Sequence, residues 1–538
     1  MAQLDQLVVA LVLLPLVTAA IMLLMGEGRR PLKAALNLLS TIAGLAIAAF
    51  LLIGVAQQEA PASFGIYSPG NWPVPFGIVL VADRLSAFMA VLTGCVALAS
   101  LLFALGRWQH AGVYFHALFQ LQLLGLYGAF LTADLFNLFV FFEVLLAASY
   151  GLLLHGGGVK RVRAGLHYIS INLIASLLFL IGVAVLYGVT GTLNMADIAQ
   201  KLPLVPEGDR GLLHAGAAIL AIAFLAKAGL WPLNFWLPPA YSSASAPSAA
   251  MFAILTKVGV YAVLRLWTLC FPADAGPSAY FGGDALVIGG LATLAFGSVG
   301  MLVSQQLTRL AGYAVISSSG TMIAALGFAT PAVSAGALYY LASSTLAGCA
   351  LYLMVELLER ARQVEVGPLH LDDGRQSLRS FQDSAPPPGV NLDENRVVIV
   401  GRPIPAALVF LGLAFAATSL VVAGLPPLSG FVGKLAMLSA LLELGTGVAW
   451  LFFALLIVSG LCAAIALMRI GMRHFWTTQE RPAPHFSTIE MLPIVALVMV
   501  TISLAVFADP VIVYAQSIAD SLQMHDLYIN AVMRIRPI

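Results

Sequence analysis

The chain has 538 residues, of which 60% are apolar and only 9% are charged, whereas about 25% of residues are charged in an ordinary soluble protein. This composition excludes a soluble globular fold and, at roughly 20 apolar residues per crossing, predicts a chain that spans a bilayer many times. The net charge of +1, from 26 Lys and Arg against 25 Asp and Glu, gives no indication of nucleic-acid binding.

Apolar runs bounded by Gly, Pro and charged residues predict about fourteen membrane spans. The first carries Asp5 and no preceding Lys or Arg, so we expect a retained span rather than a signal peptide. The twelfth is too long for one simple crossing and contains Gly424-Leu-Pro-Pro-Leu-Ser-Gly430, which predicts a broken helix or two separate spans. The predicted spans are 4–25, 33–55, 79–105, 112–131, 134–154, 164–189, 212–237, 245–269, 283–304, 309–328, 333–358, 404–443, 447–471 and 488–508.

Basic residues are distributed unequally between the loops on the two sides of the predicted spans. Most of the loop Lys and Arg residues fall on one side, which the positive-inside rule assigns to the cytoplasm, so both termini are predicted to be external. Residues 360–403 carry many charges of both signs and Pro386-Pro-Pro388, a composition that predicts a solvated cytoplasmic loop. Residues 56–78, which are rich in Pro and Gly, are expected to form an external loop.

Four ionisable residues are predicted to lie near the middle of the membrane, where a charge costs at least about 2.5–3.5 kcal/mol. Lys227 lies five residues before Pro232, and Lys434 lies seven residues after Pro427, so both are beside predicted helix interruptions. Static buried ion pairs are one interpretation, but interrupted helices with ions at the midplane are typical of transporter sites. Lysines and a carboxylate in such positions favour a proton relay. The four residues are Glu143, Lys227, Lys257 and Lys434.

Other charges lie at span ends, where capping or interfacial roles compete with functional ones. Asp83 opens the third span and Asp134 opens the fifth, and both are interpreted either as helix caps or as carboxylates for a transported cation. Arg265 lies near a helix end and is expected to reach the membrane surface with its side chain. Glu356 ends the eleventh span and is expected to be solvated.

Three blocks of the sequence resemble the antiporter-like family shared by respiratory complex I membrane subunits and Mrp multisubunit cation/proton antiporters, and most closely the D-type members of the Mrp group. The blocks are Thr132 to Glu143, Lys227 to Arg265, and Gly424 to Lys434. The resemblance implies an all-α integral membrane protein of about fourteen helices, with two inverted five-helix repeats that each contain a discontinuous helix. The organisation it implies is three N-terminal helices in 1–111, a first repeat in 112–269, a second repeat in 283–359 and 404–471, a cytoplasmic charged loop in 360–403, and a C-terminal helix and tail in 472–538.

The resemblance also implies roles for the buried charges. Glu143 and Lys227 are expected to form the pair at the head of one half-channel, Lys257 the central relay, and Lys434 the exit of the other half-channel. Many relatives carry histidines at positions where this chain does not, so Ser, Thr and bound water are expected to bridge the half-channels. The substituted positions are Asn234, Tyr241, Thr321 and the 343–345 run, and the residues expected to break helices are Pro232, Pro238, Pro426 and Pro427.

The leading hypothesis is a proton-translocating subunit of a Na⁺/H⁺ or K⁺/H⁺ antiporter in a bacterial inner membrane. Its expected partners are the bilayer, protons, Na⁺ or K⁺, and antiporter subunits of the A, B, C, E, F and G types, with no nucleic acid. No nucleotide loop, metal-ligand spacing or covalent nucleophile is evident in the sequence, so neither a cofactor nor a metal is expected. The alternatives are a proton-pumping membrane subunit of NADH:quinone oxidoreductase and a polytopic structural or receptor protein.

Overall fold

The structure, a computed structural model, describes residues 2–58, 63–363, 406–475 and 486–533. Over these ranges the chain folds almost entirely into helices, with one small antiparallel hairpin formed by β1 (Gly65–Tyr67) and β2 (Leu80–Ala82). Most of the predicted cytoplasmic loop at 360–403 and the end of the C-terminal tail lie outside the described residues. The α-helices are α1 Ala2–Leu24, α2 Arg30–Gln57, α3 Arg84–Gly106, α4 Phe115–Leu131, α5 Leu135–Leu154, α6 Val159–Thr190, α7 Met195–Lys201, α8 Glu207–Ala228, α9 Leu237–Ser243, α10 Ala246–Cys270, α11 Gly283–Val303, α12 Leu307–Gly327, α13 Pro331–Gln363, α14 Ala406–Ala423, α15 Ser429–Leu444, α16 Gly447–Phe475, α17 Thr488–Val506, α18 Ala508–Gln523 and α19 His525–Met533.

The membrane-spanning helices agree with the predicted spans. Within the described ranges, thirteen helices are long and apolar enough to cross a bilayer, and α4 is a shorter apolar helix. Each of the fourteen predicted spans corresponds to one of these fourteen helices, with α15 as the second half of the twelfth span. The prediction of a multi-pass helical membrane protein is therefore confirmed.

The seventh predicted span is shorter than expected because the helix breaks inside it. Helix α8 ends at Ala228, and Gly229 then adopts a left-handed conformation with φ of 76°, which glycine adopts without steric penalty. An irregular turn containing Pro232 leads to the two-turn helix α9. Lys227, expected beside a helix interruption, therefore lies at the end of a half-helix. Pro238 starts α9 instead of breaking a helix, because the first turn needs no amide donor there.

The twelfth span breaks in the same manner. Helix α14 ends at Ala423, and Gly424 follows with φ of 73°. Pro426 and Pro427 occupy the turn before α15 begins at Ser429, in agreement with the predicted broken helix. Both breaks thus consist of a left-handed glycine followed by proline, and each places irregular backbone within the bundle.

An unbroken helix packs tightly against each break. A Cβ atom on Gly259 of α10 would lie 2.7 Å from the carbonyl oxygen of Phe224 and the amide nitrogen of Ala228, at the end of α8. A Cβ atom on Gly460 of α16 would lie 2.7 Å from the carbonyl oxygen of Ala423, at the end of α14. Glycine therefore lets these backbones approach closely. Helix α10 is buried along nearly its whole length and so carries Lys257 through the centre of the bundle.

Candidate functional site

Glu143 and Lys227 are connected through a third side chain, Ser176. Glu143 lies on α5, and the hydroxyl of Ser176 on α6 donates a hydrogen bond to its carboxylate. The ammonium of Lys227 lies 3.4 Å from the same hydroxyl oxygen and 5.2 Å from the centre of the Phe142 ring. The two residues expected to pair are thus brought together, with a hydroxyl between them. Ser176 was not identified from the sequence, where its signal is a small polar residue within an otherwise apolar span.

Lys257 is 1% exposed and is held by hydroxyl groups. Its ammonium lies 2.5 Å from the hydroxyl oxygen of Ser318 and 3.4 Å from that of Ser319, both on α12. These partners carry no charge, so the amine can lose its proton without breaking an ion pair with them. The serine run at 317–319 supplies both contacts, in line with the expectation that hydroxyl groups bridge the half-channels.

Lys434 bonds to the end of the half-helix that precedes its own. It lies on α15, is 6% exposed, and its ammonium donates a hydrogen bond of 3.0 Å to the carbonyl oxygen of Ala423, the last residue of α14. That carbonyl lacks a partner within its helix, and a helix C-terminus carries a partial negative charge equivalent to about half an electron. A cation at this position is therefore stabilised by the helix end.

Small cavities lie beside the lysines. A cavity of about 20 Å³ is lined by Lys227, Trp236 and residues of α5, α6 and α10. A second, of about 30 Å³, touches both Ser318 and Lys434. A water needs roughly 10–15 Å³ of such space and two or more polar partners. The buried Nε1 atom of Trp236, in the wall of the first cavity, has no hydrogen-bond partner among the described residues, which fits a water molecule in that cavity.

At the positions where relatives are expected to carry histidine, the hydroxyl side chains of this chain form hydrogen bonds within the protein. The hydroxyl of Tyr241 donates to the carbonyl of Phe252 at 3.0 Å, and that of Thr321 donates to the carbonyl of Ser317 at 2.9 Å. Ser343 and Ser429 join α13 to the start of α15 through hydroxyls 2.8 Å apart. Hydroxyl groups thus stand at these positions, and Ser344 of the 343–345 run lines the cavity that touches Ser318 and Lys434.

Asp83 and Arg265 form a buried ion pair at 2.6 Å, and the side chain of Asp83 also accepts a hydrogen bond from the amide of Ser86 at the start of α3. The expectation that Arg265 reaches the membrane surface was wrong, because this carboxylate and the rings of Tyr261 and Tyr528 hold it inside, 5% exposed. The carboxylate of Asp83 is therefore already neutralised by a protein cation.

Asp134 caps the N-terminus of α5. Its carboxylate accepts a hydrogen bond of 2.8 Å from the amide of Asn137, as expected for a residue that opens a helix. The side chain is buried, so the helix end is its main source of stabilisation. The geometry fits the capping interpretation, and a role in binding the transported cation stays a prediction for both Asp134 and Asp83.

Glu356 is less exposed than expected, although it lines the wall of a large cavity. Its side chain is only 14% exposed, because the indole nitrogen of Trp108 donates to one carboxylate oxygen at 2.6 Å and Arg360 lies 3.2 Å from the other. Arg360 also contacts Glu490 of α17 at 2.7 Å. The sequence spacing reveals only the pair of Glu356 and Arg360, four residues apart on α13, because Trp108 and Glu490 come from segments more than a hundred residues away.

Interrupted helices with ionisable residues at membrane depth are typical of helical membrane transporters, and comparison with known proteins gives the same class. The family described as NADH:quinone oxidoreductase/Mrp antiporter, TM, matches residues 132–387. The D subunit of a probable K(+)/H(+) antiporter of Rhizobium meliloti (strain 1021) is 48% identical over 96% of both chains. The D subunit of a Na(+)/H(+) antiporter of Alkalihalophilus pseudofirmus is 34% identical over 98% of this chain and 100% of its own. The chain therefore belongs to the family of D-type antiporter subunits.

Solved structures share the fold. A chain in the structure of the Mrp complex from Dietzia sp. DQ12-45-1b aligns with a TM-score of 0.83 at 24% identity, over 99% of this chain and 100% of that one. A chain of respiratory complex I from Thermus thermophilus aligns with a TM-score of 0.73 at 23% identity, over 96% of this chain and 99% of that one. These similarities establish the architecture, which is common to both kinds of complex.

Proposed function

We propose that this chain is the proton-translocating subunit of a multisubunit antiporter that exchanges Na⁺ or K⁺ for protons. The observation that supports it best is the series of buried amines, each bonded to a hydroxyl or a carbonyl and two of them beside a helix break. Relatives that cover nearly the whole chain and are named as antiporter subunits add support, and they favour a secondary transporter over an enzyme.

The relay runs from Glu143 through Ser176 to Lys227, then to Lys257, and from there to Lys434. Hydroxyls of Ser318 and Ser319, with water in the small cavities, carry the proton between the amines. When Lys227 gives up its proton, the negative charge on nearby Glu143 loses its counter-charge, so proton transfer at one member changes the energy of the next. Such coupling is what allows charge movement along the row to drive exchange.

The chain acts within a larger assembly and spans the bacterial inner membrane. Its partners in this proposal are antiporter subunits of the A, B, C, E, F and G types. The distribution of basic residues supports external termini. Helices within 112–269 form one repeat, and those within 283–359 and 404–471 form its inverted counterpart. The presence of one broken helix in each half supports this division.

The charged residues within the membrane do not indicate whether the transported cation is K⁺ or Na⁺, so the relatives guide this choice. A relative named for K⁺ shares 48% identity, whereas those named for Na⁺ share 34% and 32%. K⁺ is therefore the first cation to test, with Na⁺ as the comparison. A K⁺-selective complex would keep its exchange rate when Na⁺ is omitted.

The relay is tested by neutralising its first pair in the assembled complex. Glu143→Ala or Lys227→Ala should abolish the dissipation of the pH gradient that added cation causes in everted vesicles, because no group remains to pass the proton. Lys160→Ala, which removes an exposed lysine, is the matched control and should leave exchange unchanged. Undiminished exchange by an assembled Glu143 or Lys227 variant would overturn the assigned roles.

A proton-pumping subunit of NADH:quinone oxidoreductase is the alternative, since the fold is shared with respiratory complex I. The two functions differ in the proteins that accompany the chain. Purification in mild detergent should yield small membrane subunits without flavin absorbance. Co-purification with flavin and iron–sulfur subunits would favour the alternative.

A further inference from the structure

A cavity opens at the end of the bundle that carries Arg107, Arg161 and Arg360, which the distribution of basic residues places at the cytoplasmic side. We call this cavity of about 620 Å³ the vestibule; its walls include Trp108, Tyr241, Tyr352, Glu356 and Arg360. At about 30 Å³ per water molecule it has room for on the order of twenty waters. It lies at the end of the bundle nearest α9, outside the row of buried amines.

One face of α13 leads from the vestibule to the interior. Glu356 and Tyr352 line the vestibule, while Gly348 and Ser344, further along the same helix, line the inner cavity of about 30 Å³. Spacings of four residues put these side chains on one face. A Cβ atom on Gly348 would make an ordinary contact, 3.7 Å from Cβ of Ala253, so this glycine leaves room for a methyl group between the two cavities. The inner cavity in turn touches Ser318, which holds Lys257, and Lys434.

Tyr352 stands at the boundary between the two cavities with an unused hydroxyl. The residue is 2% exposed, and its hydroxyl has no hydrogen-bond partner among the described residues. Leaving a buried hydroxyl unpaired costs about 1–3 kcal/mol. A water in the adjoining space would supply the partner, and a hydroxyl bonded to water on both sides can accept one proton while it donates another.

Glu356 has the geometry of a group that can take up a proton without disturbing its neighbours. Arg360 contacts Glu356 at 3.2 Å and Glu490 at the shorter distance of 2.7 Å. If Glu356 becomes protonated, Arg360 keeps Glu490 as its counter-charge. Arg107, Arg161 and Glu359 also line the vestibule, so its walls carry further charges of both signs. The carboxylate of Glu356 therefore lines the vestibule, shares Arg360 with Glu490, and lies on the face of α13 that leads to the inner cavity.

We propose that Tyr352 passes protons along α13 from the inner cavity between Lys257 and Lys434 and that Glu356 releases them to the vestibule. This inference rests on the proposed function. The Tyr352 hydroxyl accepts a proton from hydronium on its inner side as it donates its own proton to water on the vestibule side; the hydronium formed there protonates the carboxylate of Glu356; the carboxyl then releases the proton to vestibule water as hydronium. Tyr352 keeps one hydroxyl proton and carries no net charge after the transfer.

Tyr352→Phe is the decisive variant, measured in the full complex in everted vesicles, where the cytoplasmic face points outward. We expect the initial rate of cation-dependent dissipation of the pH gradient to fall at least about tenfold, with the amount of assembled complex unchanged. The hydroxyl makes no hydrogen bond within the described residues, so a merely structural role predicts no loss. Tyr187→Phe, on an exposed tyrosine, is the matched control.

Glu356→Gln should show the same loss, and Glu443→Gln, which neutralises an exposed glutamate of α15, should not. Formate is a small carboxylate that can exchange protons with water in the vestibule in place of Glu356. It should partly restore exchange in Glu356→Gln but not in Lys257→Ala. Wild-type rates in Tyr352→Phe would overturn the route through Tyr352 and Glu356 even if Glu356→Gln failed to assemble. Wild-type rates in Tyr352→Phe with an inactive Lys257→Ala would leave the relay standing; an active Lys257→Ala would contradict the proposed function itself.

Discussion

The two broken helices, α8–α9 and α14–α15, share a backbone design but hold their lysines differently. Both first halves end at a left-handed glycine, Gly229 or Gly424, and both breaks contain proline. Lys227 precedes its break and reaches a carboxylate through Ser176. Lys434 follows its break and bonds to the carbonyl of the preceding half-helix.

This difference indicates two ways of stabilising a cation in the membrane. Lys227 depends on a full negative charge on another helix, whereas Lys434 depends on the partial charge of a helix end, equivalent to about half an electron. The proton on Lys227 is therefore coupled to the state of Glu143, and the proton on Lys434 is coupled to the position of α14. Breaking each contact separately tests whether the two sites act by these distinct means.

Lys434→Arg should have the largest effect, because it separates the bond to the carbonyl from the transfer of a proton. An arginine stays charged under all ordinary conditions, so it can hold the carbonyl of Ala423 but cannot release a proton. We expect exchange in everted vesicles to fall about a hundredfold or more, with assembly retained. Lys160→Arg is the control on an exposed lysine, and near-normal exchange in Lys434→Arg would show that Lys434 serves only as a structural cation.

Ser176→Ala should have the next largest effect, since it removes the hydroxyl that joins Glu143 to Lys227. We expect exchange to fall about tenfold rather than to vanish, because a water molecule can replace a small hydroxyl. The matched control is Ser521→Ala in α18, whose hydroxyl donates to the carbonyl of Ile518 in the same helix. If Ser176→Ala matched the control, the bridge would carry no proton.

Gly424→Ala tests whether the second break needs a residue without a Cβ atom beside the side chain of Lys434. A Cβ atom there would lie 2.6 Å from Cδ of Lys434, in addition to the strain of φ near 73°. Gly445→Ala has a similar φ of 62° and nothing within 4 Å, so it isolates the backbone strain.

Both glycine variants should lose about 1–2 kcal/mol of stability from the left-handed backbone, measured by thermal unfolding in detergent. Only Gly424→Ala should also lose exchange activity. Equal activity in the two variants would indicate that Lys434 tolerates displacement from the carbonyl of Ala423.

Asp134→Asn should have the smallest effect, because asparagine caps a helix as well as aspartate does. Exchange and thermal stability should stay near wild type, whereas Asp134→Ala should lose roughly 0.5–2 kcal/mol of stability. A loss of exchange in Asp134→Asn without a loss of stability would instead identify a carboxylate that binds the transported cation.

The sequence predicted the membrane spans and the four charges inside them because both follow from the cost of placing polar groups in hydrocarbon. Of the four, Lys257 and Lys434 are buried, and Glu143 and Lys227 are partly buried. The sequence also contained the signal that ends α8, since a glycine followed closely by proline is typical of a helix C-terminus. The partners of the charges could not be predicted. Ser176, the counter-charge of Arg265 and the contact of Glu356 with Trp108 depend on segments that are distant in the chain, so only the packed bundle reveals them.

The central claim is that protons pass through Lys257 in the middle of the bundle. It is tested most directly by proton flux into proteoliposomes that contain the purified complex with Lys257→Ala, driven by a gradient of K⁺ or Na⁺ and followed with an internal pH dye. We expect a complex of normal composition with no cation-driven proton flux, since the serines of α12 would have no amine to receive a proton from. Flux at the wild-type rate through an intact Lys257→Ala complex would contradict the account.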